Sequence, residues 1–177
     1  MNSKPTSNPK VAAWPFRLKN ILVPIDFSWC SEDALNYALP IARQFRAGIV
    51  LVHVIHADYY PTSGDYAALD YPALIEDLRR SGKKKLDDLA RSIRSKRPLV
   101  TVIKDGHPGD VIVETAGTLG IDLIVISTHG RTGLKRVFLG STAEYVVRHA
   151  SCPVLTVRAW KANSAGRAFR PKKNRNV

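Results

Sequence analysis

Five short apolar runs punctuate the chain. They are Ile21 to Ile25, Ile49 to Ile55, Leu99 to Ile103, Ile121 to Ile126 and Val154 to Val157. Each is rich in β-branched residues and lacks strict polar alternation, the pattern of strands covered on both faces of a parallel sheet. Between them the apolar positions fall at helical spacing. Ala34, Leu35, Ala38, Leu39, Ala42 and Phe45 form one stripe, opened by Ser31, Glu32 and Asp33, where acids favour a helix N-terminus. Pro40 lies inside this stripe and is expected to kink the helix or spoil a turn. Leu74, Leu78, Leu86, Leu89 and Ile93 form a second stripe, interrupted by Gly82. A third, Val111, Ile112, Thr115, Ala116 and Leu119, is entered through Pro108 and stopped by Gly120. The fourth opens at Ser141-Thr142-Ala143-Glu144, which reads as a capping box with Ser141 at the cap.

The order is therefore β-α-β-α-β-α-β-α-β, which predicts a three-layer α/β fold with right-handed crossovers. Ligands of such sheets bind outside the carboxyl ends of the strands, where the strand order reverses. Attention falls on the turns after Ile25, Ile103 and Ile126. A long connection, His56 to Leu69, follows the second strand and is expected to form a flap. Its Tyr59, Tyr60 and Tyr66 suit either stacking on a base or filling of the loop.

The stretch from Ser127 to Thr142 carries Gly130, Gly133 and Gly140, the basic residues Arg131, Lys135 and Arg136, and a Ser141-Thr142 hydroxyl pair. Glycines let backbone N–H groups approach an anion, and a helix start offers free donors and a positive dipole end. The same residues also suit an ordinary β–α connection. Neither Gly-Lys-Ser/Thr nor Gly-x-Gly-x-x-Gly occurs. Asp26 suits an Asx turn, an N-cap or a ligand contact. His53 lies inside a strand and reads as a hydrogen-bonded core residue. His107, His129 and His149 lack metal spacing, and Lys83-Lys84-Lys85 reads as a solvated helix face.

Composition sharpens the picture at the ends. The 177 residues are 45% hydrophobic and 24% charged, the balance of one globular domain. No run reaches about 18 apolar residues, and the first residues lack the apolar core of a signal peptide. Cys30 and Cys152, far apart, read as buried hydrophobes in a reducing, cytoplasmic setting. The net charge is +12, yet residues 1–19 hold four basic residues and no acid, and residues 161–177 hold six and no acid. A nearly balanced domain, 18–158, is thus flanked by basic tails, 1–17 and 159–177. The tails suit contact with an acidic partner or simple solubility.

Several of these segments resemble the universal stress protein family. They are Val23-Pro24-Ile25-Asp26-Phe27-Ser28, His53-Val54, Gly106-His107-Pro108, Gly130 with nine residues before Gly140-Ser141, and Cys152-Pro153-Val154-Leu155. One departure is Ser127, where the family motif places its first glycine. The resemblance implies a Rossmann-like, five-stranded parallel sheet with helices on both faces. In one branch of the family it also implies ATP, with Mg²⁺ or Mn²⁺ held mostly by phosphate oxygens and water. On that basis Pro24, Ile25 and Asp26 lie by the adenosine, with Val54 at the adenine edge and Gly106 in the turn beside it. Ser127, Gly130 and Gly140 line the phosphate path, and Ser141 and Thr142 hold phosphate oxygens. His129 and Arg131 flank them.

The resemblance further implies a homodimer through Val154, Leu155, Thr156 and Val157. The expected function is a nucleotide-dependent stress-response switch. Enzymatic activity is left open, at most slow ATP hydrolysis. The alternative is a dimeric interaction protein that binds no nucleotide and works through its surface and basic tails.

Overall fold

The computed structural model describes residues 17–56, 71–93, 97, 99–128 and 139–158. Residues 1–16 and 159–177 of the tails, residues 57–70, which include most of the expected flap, and His129, Gly130 and Arg131 lie outside the described residues. The element order is β1 (Asn20–Pro24), α1 (Trp29–Phe45), β2 (Gly48–Ile55), α2 (Tyr71–Ser92), β3 (Leu99–Asp105), α3 (Pro108–Thr118), β4 (Leu123–Ser127), α4 (Ser141–His149) and β5 (Val154–Val157). All strand pairs are parallel, in the order β3-β2-β1-β4-β5.

Alternate residues of the strands feed two cores. On one face Ile21, Val23, Ile49, Leu51 and Val125 meet Ala34, Leu35 and Ala38 of α1 and Leu86 of α2. On the other, Leu22, Val50, Val52, Ile124 and Ile126 meet Ile112 and Ala116 of α3 and Ala143 and Val146 of α4. The near-continuous apolar runs follow from this, because each central strand buries both faces.

Local signals explain most element ends. α3 starts with Pro108 at a position whose N–H needs no partner. It stops at Gly120, whose φ of 58° places it in the left-handed region. Gly120 N–H donates to the Gly117 carbonyl and Ile121 N–H to that of Ala116, the paired bonds of a Schellman end. Ile121 is therefore still bound to the helix stop, and β4 begins at Leu123 rather than at Ile121. Pro40 does not break α1, which runs unbroken from Trp29 to Phe45. Pro40 and Asn36 both lie on the exposed face, so water can serve the carbonyl that the missing N–H leaves open.

β1 is the switch strand. The chain leaves it to one side through β2 and β3, then returns to its other side with β4 and β5. β1 pairs with β2 along its whole length, but with β4 only at Ile21–Leu123 and Leu22–Ile124. Ile25 N–H donates to Val52 O at 2.8 Å. Alternation then turns Pro24 toward β4, where it has no N–H to give. The ladder ends there and a crevice opens between the two strands.

Candidate functional site

A cavity of about 510 Å³ occupies the carboxyl end of the sheet, within the range of small-molecule sites. Its floor is the ends of β1, β2 and β4, including Pro24, Ile25, Val54 and Ser127. α2 closes one side and the starts of α3 and α4 the other. Asp26, Gly140, Ser141 and Thr142 also line it. Gly106 stands beside the cavity rather than in its lining. Its φ of 130° and its N–H bond to Ile55 O, 3.0 Å, make the turn that presents His107 and Pro108.

The β1–α1 junction is tightly self-bonded. Ser28 N–H donates to Asp26 Oδ1 at 2.9 Å, and the Ser28 hydroxyl donates to the same oxygen. Asp26 is thus the Asx-turn residue, and Ser28 is the N-cap of α1, its Oγ accepting from Ser31 N–H at 3.3 Å. Between them Phe27 holds a φ of 61°, a left-handed conformation that costs a non-glycine residue about 1–2 kcal/mol. The Phe27 ring stands 4.5 Å from that of His53. His53 Nδ1 lies 2.7 Å from the Ile25 carbonyl. A carbonyl only accepts, so Nδ1 carries the proton. This is the hydrogen-bonded strand histidine that the sequence suggested, and it also forms cavity wall.

The β4–α4 junction is built the other way. Ser127 is the buried last residue of β4, in extended backbone, so its Cβ carries no conformational strain. Thr128 N–H donates to Val157 O at 2.9 Å, and Gly140 N–H to Thr128 O at 2.8 Å. These bonds fix where α4 begins. The N-cap is Gly140, not Ser141, and among the described residues no side chain makes a cap hydrogen bond to the helix. The expected capping box is therefore absent. Ser141 is the first helical residue, and Glu144 pairs with Arg148 at 2.9 Å instead of reaching back. Gly140 has an ordinary φ of −68°. What it supplies is space, since a Cβ there would lie 3.2 Å from Thr128 O. Among the described residues, the first N–H groups of α4 and the Ser141 and Thr142 side chains thus meet the cavity without a competing side-chain cap.

Sequence reading missed several lining residues, among them Phe27, Ser31, His56, Ser81, Gly82, Lys85 and His107. The spacing of Leu78, Gly82 and Lys85 on one face of α2 was the available signal. No set of three or more His, Cys, Asp or Glu among the described residues is arranged to hold a metal. Cys30 is buried and Cys152 half-buried, and burial pushes the Cys152 thiol up from its ordinary value. No helix among the described residues is long and apolar enough to cross a membrane.

Comparison with known proteins agrees with this architecture. Universal stress protein MJ0531 of Methanocaldococcus jannaschii is 37% identical over 143 residues, covering 79% of this chain and 82% of the relative. The structure of universal stress protein UspA from Lactobacillus plantarum has a TM-score of 0.70 at 30% identity, covering 80% of this chain and 99% of that one. A universal stress protein family structure from Arabidopsis thaliana with AMP bound has a TM-score of 0.52 at 22% identity, covering 81% and 93%. The last shows likeness of fold alone. Residues 17–158 match the model of the universal stress protein family, and the chain belongs to that family.

Proposed function

We propose that the cavity binds ATP and that its occupancy switches a surface read by partners in a stress response. One observation carries this reading. The uncapped N-terminus of α4 opens, across Gly140, into a crevice of nucleotide size at the strand-order reversal. A phosphate fits there, because the donors that a side-chain cap would satisfy are left for an anion and no Cβ fills the approach. Backbone at Pro24, Ile25 and Val54 meets the base, and Asp26 lies toward the ribose. Gly140, Ser141 and Thr142 take phosphate oxygens, with His129, Gly130 and Arg131 continuing the path. A divalent cation, Mg²⁺ or Mn²⁺, would be held mainly by the phosphates and water. Binding and release suffice for a switch, and any hydrolysis is slow.

The second reading is a dimeric interaction protein with the same fold. β5 is an edge strand with Leu155 exposed, and an uncovered apolar edge favours pairing with a second copy. The homodimer through Val154 to Val157 belongs to both readings. Equilibrium dialysis of the purified protein with ATP and Mg²⁺ separates them. Saturable binding in the wild type, lost in Gly140→Trp, is the expected result. No binding at millimolar ATP overturns the nucleotide reading and leaves the second. Gel filtration as a monomer at micromolar concentration overturns the dimer.

A further inference from the structure

α2 reaches the cavity from the side opposite α3 and α4. At Gly82, which is buried, it lies close against the β2 histidine: a Cβ there would lie 3.0 Å from His53 Cδ2. This contact brings Ser81, Gly82 and Lys85 into the cavity wall. Lys85 is the one Lys or Arg lining the cavity among the described residues. Its neighbours behave differently. Lys83 is tied to Asp87 at 2.6 Å, and Lys84 is exposed and takes no part in the lining. Among the described residues Lys85 makes no ion pair. Its Nζ sits 5.7 Å from the centroid of the Phe27 ring.

An exposed ammonium on an aromatic face is weakly held. It sits on a flexible four-carbon stem, so a nearby anion competes for it readily. Phe27 is itself held in place by the Asp26–Ser28 turn and by His53, so the resting place is fixed while the charge is movable. We propose that Lys85 is the cationic contact of the cavity: it rests on Phe27 and moves to the phosphate of a nucleotide seated at the α4 N-terminus. This deepens the nucleotide reading above and rests on it.

The test measures affinities for ATP and for adenosine in the wild type, Lys85→Gln, Lys85→Arg and Lys84→Gln, with thermal melts to show that each is folded. Lys85→Gln is expected to weaken ATP about tenfold and to leave adenosine within about twofold, because it removes one charge-assisted contact to phosphate. Lys85→Arg is expected to retain most ATP affinity, and Lys84→Gln all of it. Equal ATP affinity in Lys85→Gln and Lys84→Gln overturns the Lys85 contact while leaving nucleotide binding in place. An equal loss for adenosine overturns it too, by assigning Lys85 to packing alone. Failure of the wild type to bind ATP removes both readings.

Discussion

Two helices start beside the same cavity, and they start differently. α1 is closed by its own chain: Ser28 accepts the Ser31 N–H, and Asp26 braces Ser28 through two bonds. α4 starts at Gly140, with no side-chain cap on its first N–H groups among the described residues. A helix terminus satisfied from within has little left for a ligand, whereas an unsatisfied one facing a cavity can take an anion. The two junctions also place strain differently. The α1 side tolerates a left-handed phenylalanine to keep its turn, while the α4 side avoids a Cβ to keep its space. Proximity to the cavity alone is thus a poor guide to role, since Asp26 and Ser141 both line it and, among the described residues, Asp26 is bonded into a turn while Ser141 is not.

The largest expected effect comes from closing the open terminus. Gly140→Trp places an indole where a Cβ alone would lie 3.2 Å from Thr128 O, and ATP affinity is expected to fall by at least about a hundredfold. Equilibrium dialysis measures it. Next comes the exchange of roles between the two serines. Ser28→Ala removes the α1 cap and is expected to cost about 1 kcal/mol in urea unfolding. Ser141→Ala, with no cap bond to lose, is expected to change stability by less than about 0.5 kcal/mol while weakening ATP. If Ser141→Ala proves the more destabilising, the comparison fails.

A fourth variant tests an unsatisfied group away from the cavity lining. Thr115 Oγ1 is buried with no hydrogen-bond partner among the described residues. Thr115→Val is expected to raise stability by about 1 kcal/mol by removing that cost, without altering ATP affinity.

A smaller effect concerns the seat of α2. Hydrogen bonds from Lys83 and then from Thr101 hold the Asp87 carboxyl below its ordinary value of 3.8. A lowered folded value adds stability above the unfolded value, and that stability is lost as the pH falls through the folded one. Asp87→Asn should therefore be slightly less stable than wild type at neutral pH. The difference should vanish at strongly acid pH, as followed by urea unfolding across an acid series. The smallest effect on the site is expected from the tails. Deleting 1–17 and 161–177 should leave ATP affinity within about twofold and abolish any salt-sensitive nucleic-acid binding.

Local pattern carried far in this chain. The five strands and four helices occur in the order that period and punctuation indicated, with ends shifted by a few residues, as at β4, which starts at Leu123, because buried strands and amphipathic helices leave period-dependent apolar marks. Asp26, Gly140 and Ser141 were visible as candidates through residue type and spacing. Their roles were not. Whether Ser141 caps α4 depends on the direction from which the backbone arrives, and that is set by the bonds of Thr128 to Val157 and of Gly140 to Thr128. Lys85 read as one of three solvated lysines until α2 was seen pressed through Gly82 against His53.

The sequence alone thus determined the alternation of elements, the family resemblance and the segregation of ten of the twelve net charges into the ends. Each depends only on residues near one another along the chain. The tertiary structure decided which helix terminus lacks a side-chain cap among the described residues, that Pro40 sits on an exposed face of an unbroken helix, and which lysine lines the cavity. Those outcomes rest on contacts between residues distant along the chain, and hydrophobic period carries no information about which polar group finds a partner and which is left facing a cavity.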